Sequence, residues 1–240
     1  MHTKVLDHGY VEFIDHWGSD ECIIEAARMS TGKGFQGWGP KCKKCFVLKS
    51  HPDNPFHCKH EWEDGDEKLL AYLYDNKHAT PFEMAGMVIE VQAPIMVFRE
   101  WHRHRTASYN EMSARYTPLP DINYMPTVER CLSVSGTNKQ AGAVKGSDEV
   151  THESALAWLE ELADLYEHAE RVYQSGLKRG IPKEVARLPV PVGRYSRMRA
   201  CANLRNWLAF LTLRMDEKAQ WEIRMYANEV GKLIEMRFTR

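Results

Sequence analysis

Apolar and polar side chains alternate on both sides of an Asp-His-Gly turn near the start of the chain, with Val5 before it and Tyr10, Val11, Phe13 and Ile14 after it. This spacing predicts a β-hairpin from Lys4 to Trp17, and the hydroxyl of Ser19 suits the N-cap of a helix that runs to Met29. From Thr31 to Gly65 the periodicity lapses into Gly, Pro, Lys, Cys and His, which predicts an inserted loop. It resumes at Asp66, where Leu69, Leu70, Leu73 and Tyr74 share one face of a helix that ends near Asn76. Alternation of Met87, Ile89 and Val91 predicts a strand over 84–93, and Pro94 then opens a helix carrying Ile95, Val97, Phe98 and Trp101.

The polar run RHRTASYNEMSAR therefore falls at the end of that helix and in the loop beyond it. Residues 121–150, rich in Gly, Ser, Thr and Asn, read as a long mobile excursion. Leu156, Leu159, Leu162, Tyr166, Ala169 and Tyr173 mark a long amphipathic helix punctuated by Gly180 and Pro182. A short helix at 183–187, an extended piece over 194–202, and helices near 204–215 and 217–236 complete the chain. The order of elements is α+β rather than a repeating βαβ unit.

With 240 residues and 43% hydrophobic content, the chain can bury one sizeable core, so a single domain over 1–240 is expected, with its insertion at about 31–65. The 32 basic residues nearly cancel the 33 acidic ones, which argues against a nucleic-acid or membrane partner held by a global field. No run of eighteen apolar residues occurs, and the start lacks the apolar stretch of a secretory signal, so a cytoplasmic protein is expected. Cys22, Cys131 and Cys201 are scattered, as reduced structural thiols commonly are.

Arg103, His104 and Arg105 bring up to three cations together, an unfavourable cluster unless an anion or carboxylate compensates it. A bound phosphate would do so; pairing within a solvated helix end is the plainer alternative. Ser108, Asn110, Glu111, Ser113 and Arg115 follow, a dense mixture of groups suited to orienting a polar ligand. Arg214 shares a helix face with Trp207, Phe210 and Leu211, so its permanent charge on an otherwise apolar side requires a partner.

The string RHRTASYNEMS resembles the signature of flavin-dependent thymidylate synthases, Arg-His-Arg, seven residues, then Ser, at Arg103, His104, Arg105 and Ser113. HATPFE at 78–83, PKEVAR at 182–187, the stretch Asn203 to Arg214 and the AQWE segment extend the resemblance across roughly 66–236, apart from 120–150. The resemblance implies an α/β fold with a central, mainly antiparallel sheet flanked by helices, and a homotetramer whose active sites lie between subunits. It implies reductive methylation of dUMP to dTMP, with methylenetetrahydrofolate as carbon donor and NADPH-reduced FAD as hydride carrier, without an enzyme cysteine nucleophile.

Carried over position by position, the resemblance places His78, Thr80, Arg103, His104, Arg105, Glu111, Asn203 and Arg205 towards the cofactor. It places Glu100, Trp101, His102, Arg103, Glu111, Met112, Ser113, Ala114, Arg115, Arg187 and Arg214 towards the nucleotide. Arg214, against the uracil, and Ser113 are its catalytic residues, although Arg187 in isolation would merely pair with Glu184. Several members of the family have Gln, Asn and His where this chain has Glu100, Ala209 and Lys218. A carboxylate at Glu100 either repels a phosphate or accepts from a ribose hydroxyl.

Cys42 and Cys45 form a C-x-x-C pair, and with Cys58 and either His57 or His60 they supply enough ligands for a structural tetrahedral zinc. A flexible insertion with reduced thiols is the alternative. Two rival functions remain: a nucleotide- or nucleic-acid-binding module using a zinc knuckle and an Arg-His-Arg phosphate clamp, and a family member that binds flavin and nucleotide without methyl transfer.

Overall fold

The computed structural model describes residues 2–39, 41–44 and 61–240. Its centre is a five-stranded antiparallel sheet in the order β1-β2-β5-β7-β6. The strands are β1 (His2–Val5), β2 (Gly9–Trp17), β5 (Gly86–Pro94), β6 (Ser108–Glu111) and β7 (Tyr195–Asn203); β3 (Lys41–Cys42) and β4 (Trp62–Glu63) form a separate two-stranded ladder. The helices are α1 (Asp20–Arg28), α2 (Asp66–Asp75), α3 (Ile95–Trp101), α4 (Val128–Leu132), α5 (His152–Lys178), α6 (Lys183–Ala186), α7 (Leu204–Arg214) and α8 (Trp221–Arg237). The fold is therefore of the α/β class with an antiparallel sheet.

Period-two burial runs along the central strands. Met87, Ile89, Val91 and Ala93 of β5, with Met198, Ala200 and Ala202 of β7, point into one core with Ile23, Ile24, Phe98, Trp101, Trp207, Phe210, Tyr226 and Val230 of the helices. The alternate positions carry Glu90, Arg197 and Arg199, and Arg199 meets Glu90 at 2.9 Å. Trp207 buries its indole against this sheet and satisfies its N–H on the Met87 carbonyl at 3.0 Å.

Several caps read from the sequence are present. Ser19 accepts from the Cys22 amide at the start of α1, and Pro94 is the N-cap residue of α3. Other expectations are corrected. Residues 108–111 form a strand rather than loop, because the edge of β7 offers them a ladder. Asn206, within α7, supports the preceding turn by donating from Nδ2 to the Thr106 carbonyl at 3.3 Å. α8 begins at Trp221 rather than 217, after a turn over 216–219.

Residues 121–150 contain α4 and are fastened to the body rather than free of it. Arg130 Nε lies 2.7 Å from the buried carboxylate of Glu222, to which the Tyr124 hydroxyl also donates at 3.2 Å. Asn123 bridges to Arg194, whose guanidinium is fully buried between the Pro120 carbonyl, Asp121 and Glu170.

Candidate active site

The Arg-His-Arg run occupies the turn that leaves α3. Tyr109, an inward residue of β6, donates its hydroxyl to the His104 carbonyl at 2.7 Å and lies 3.2 Å from the Trp101 carbonyl. Burial raises the Tyr109 phenol to about 12, so it stays a donor across the physiological range. Sequence reading passed over Tyr109; its signal was an aromatic residue inside an otherwise polar run.

Arg214 closes α7 and reaches the same turn. Its Nε donates to His104 Nε2 at 2.9 Å, Nη1 to Glu100 Oε2 at 2.7 Å and Nη2 to the Glu100 carbonyl at 2.8 Å. Below these groups lies an aromatic floor. Trp101 stacks on Phe210 with centroids 4.7 Å apart, and His104 meets Phe210 edge-on at 4.9 Å. The partner that the charge of Arg214 requires is thus Glu100, one turn of chain before the signature.

His104 is not a third cation. Burial, then the Arg214 charge, push its imidazole down to about 4, despite the opposing pull of Glu100. Since Nε2 accepts from Arg214, the ring proton sits on Nδ1. Arg103 and Arg105 project into solvent on either side of this neutral ring, so the run presents two exposed guanidiniums.

The polar loop beyond β6 is anchored at both ends. Met112 donates to the Arg197 carbonyl at 2.8 Å, while Ser113 folds the chain into a turn: its carbonyl accepts from the Tyr116 amide at 3.0 Å and its hydroxyl from the Arg115 amide at 3.3 Å. Ala114 is buried beneath the turn. Glu184 pairs with Arg115 at 3.3 Å instead of with Arg187, and Lys183 donates to the Tyr116 carbonyl at 2.9 Å. These contacts bring the segment 112–116 to α6, leaving Arg187 exposed beside it.

A second corner gathers the HATPFE segment. Thr80–Met84 forms a 3-10 turn packed on α1 and α7, and Glu83 within it pairs with Arg205 of α7. His78 and Thr80 are exposed at this corner. Asn203 caps α7 by accepting from the Asn206 amide at 3.0 Å, which occupies its side-chain oxygen and leaves its amide group to donate. His102 lies on the other side of the turn, its Nε2 3.2 Å from Met198 Sδ, and Trp101 is wholly buried.

Of the candidate zinc ligands, Cys42 is described: it is buried and its Sγ accepts from the Lys44 amide at 3.4 Å. Cys45, His57, Cys58 and His60 lie outside the described residues. No cluster of three metal-ligating side chains occurs among the described residues, and none of their helices is long and apolar enough to cross a membrane. One cysteine is nearer the signature than the sequence suggests, since Cys201 of β7 stands opposite Ser108 of β6. Burial raises its thiol, the reverse of what activates a nucleophile.

An antiparallel α/β protein with a guanidinium cluster on a strand-anchored turn is the class that this geometry defines, and the family of the Thymidylate synthase complementing protein matches residues 12–238. The chain belongs to that family, and within it to the flavin-dependent thymidylate synthases. It is 34% identical over 235 residues to the flavin-dependent thymidylate synthase of Thermosipho africanus, covering 98% of this chain and 90% of that protein. It is 35% identical over 233 residues to that of Thermus thermophilus, covering 97% of this chain and 74% of that one. Among solved structures, it is similar to the UMP/dUMP methylase PolB from Streptomyces cacaoi bound with 5-Br UMP. The TM-score is 0.75 with 29% identity, over 99% of this chain and 93% of that one.

Proposed function

We propose that this chain methylates dUMP to dTMP, with methylenetetrahydrofolate as carbon donor, FAD as the bound cofactor and NADPH as its reductant. The observation that carries this reading is the placement of Arg214, a guanidinium only 15% exposed, on a neutral imidazole at the signature turn. Two of its five N–H groups are left by the contacts to His104 and Glu100. They are suited to the carbonyl oxygens and the acidic N3 edge of a uracil ring, and positive charge there stabilises the electron-rich pyrimidine that attacks the carbon donor.

Arg103 and Arg105 on the signature turn, and Arg115 and Arg187 at the Ser113 turn beside α6, are exposed guanidiniums that suit phosphate groups of nucleotide and flavin. The Ser113 turn adds backbone amides, and Glu111, Met112 and Ala114 position it. Thr80 and His78, beside the Arg205–Glu83 pair, form the second cofactor-facing corner, and Asn203 offers it a free amide. The flavin supplies the hydride that completes the methyl group. The protein's residues bind, orient and polarise, and no thiol nucleophile is needed; the raised thiol of Cys201 agrees with this.

The exposure of these cations supports a site completed by another copy of the chain, in a homotetramer. α5 supports assembly too, since Trp158, Leu165 and Val172, seven residues apart, leave an apolar stripe uncovered along it. A structural zinc held by Cys42, Cys45, Cys58 and His60 is a separate proposal. The hydrogen bond from the Lys44 amide to the Cys42 sulfur fits a C-x-x-C knuckle, and full activity with an unchanged Tm in zinc-stripped protein would remove the zinc.

Tritium release from C5-labelled dUMP, with FAD, NADPH and methylenetetrahydrofolate present and each omitted in turn, tests the reaction. Release that needs all three, with dTMP formed, is expected. Bound flavin and dUMP without release would instead identify a ligand-binding member of the family.

A further inference from the structure

Arg214 is held by three acceptors of two kinds. His104 Nε2 and the Glu100 carbonyl belong to the rigid turn and to the end of α3, where helix carbonyls lack intrahelical partners and the helix dipole is negative. The third, the Glu100 carboxylate, is on a rotatable side chain 40% exposed, against 15% for Arg214. It therefore covers the guanidinium from the solvent side, the side from which a ligand arrives. Removing it leaves the guanidinium anchored by the other two bonds.

We infer that Glu100 is an internal stand-in for the acidic edge of the pyrimidine, occupying Arg214 in the empty site and displaced from it when nucleotide binds. This rests on Arg214 being the uracil-binding residue. A carboxylate accepts the same hydrogen bonds from a guanidinium as an ionised uracil edge does, and it cancels the charge that the base would use. Glu100 thereby sets the threshold for nucleotide binding, while His104 and the Glu100 carbonyl keep Arg214 in place through the exchange. A glutamine at this position keeps the shape but lacks the charge, so the guanidinium stays available to the base.

The test compares flavin-loaded wild type and Glu100→Gln by calorimetric titration with dUMP and with deoxyribose 5-phosphate, which carries the phosphate but no base. The substitution is expected to tighten dUMP about fivefold, the upper range for a part-exposed ion pair, and to leave deoxyribose 5-phosphate unchanged. In steady state, KM for dUMP falls while kcat does not rise, a split that a purely structural role would not produce. Equal tightening of both ligands would mean that Glu100 merely repels phosphate, unchanged dUMP binding that it does not compete with the base, and weaker binding that it aids the nucleotide; each overturns the inference. dUMP binding that is absent from both proteins would overturn the dUMP reading as well, whereas wild-type binding with no gain in Glu100→Gln would leave that reading standing.

Discussion

Two arginines, Arg194 and Arg214, sit at opposite ends of the same problem. Arg194 is fully buried, and its guanidinium is matched by Glu170 at 2.5 Å, Asp121 at 3.0 Å and the Pro120 carbonyl at 2.9 Å. Arg214 has one carboxylate, one carbonyl and an imidazole that burial keeps neutral. In the first case two carboxylates face the charge and the one nitrogen without a partner, Nε, is sealed from solvent, so the product is a joint, tying residues 120–123 to α5 and β7. In the second, compensation is partial and faces solvent, so donors remain for a ligand. A largely buried arginine marks function when its unpaired donors are open to a ligand, as those of the 15% exposed Arg214 are and that of Arg194 is not.

Removing each guanidinium separates the two roles. Arg194→Ala leaves the largely covered Glu170 carboxylate with only the Gln174 amide as donor and opens a void at a fully buried position, and a loss of about 3 kcal/mol in denaturant unfolding is expected. Retained stability would mean that the joint carries no weight. Arg214→Ala is expected to lower kcat/KM for dUMP methylation about 100-fold while shifting unfolding by less than about 1 kcal/mol. Unchanged turnover would remove Arg214 from the chemistry, and a large stability loss would make it a second Arg194.

The smallest effect sharpens the contrast through pH. The His104 imidazole titrates near 6.5 in an unfolded chain and at about 4 in the folded one, so the unfolded state binds the proton first. Its neutral form costs nothing above pH 6.5; as pH falls from there towards 4 stability declines, and below 4 the loss is complete. His104→Gln should flatten that part of the profile of Tm against pH, modestly because the ring is half-exposed. An identical slope in both proteins would mean that the ring takes up its proton as readily in the folded chain as in the unfolded one.

What the sequence disclosed followed local rules. Ser19 announced α1, Pro94 announced α3, and the alternation through Met87, Ile89 and Val91 announced β5, because caps and periodicity are properties of neighbours in the chain. β6 was hidden because Ser108, Asn110 and Glu111 are polar and their extended form depends on β7, ninety residues later. The Arg194 joint was hidden for the same reason, its partners being scattered over 120–170. At the site, the motif located the turn and the face of Arg214, but neither the neutrality of His104 nor the grip of Glu100 on Arg214 has a local signature. Asn203 shows the reverse case, a motif residue whose oxygen is engaged in a helix cap.

The bond from Tyr109 to the His104 carbonyl also bears on how this region can change over generations. The interval between Arg105 and Ser113 contains the whole of β6 in register with β7, Tyr109 opposite Ala200 and Glu111 opposite Met198. Adding or deleting a single residue there would exchange inner and outer faces, pulling Tyr109 off the turn and swinging Ser113 to the wrong side. The gap behaves as a ruler cut to a fixed number of divisions, whose length the sheet holds constant.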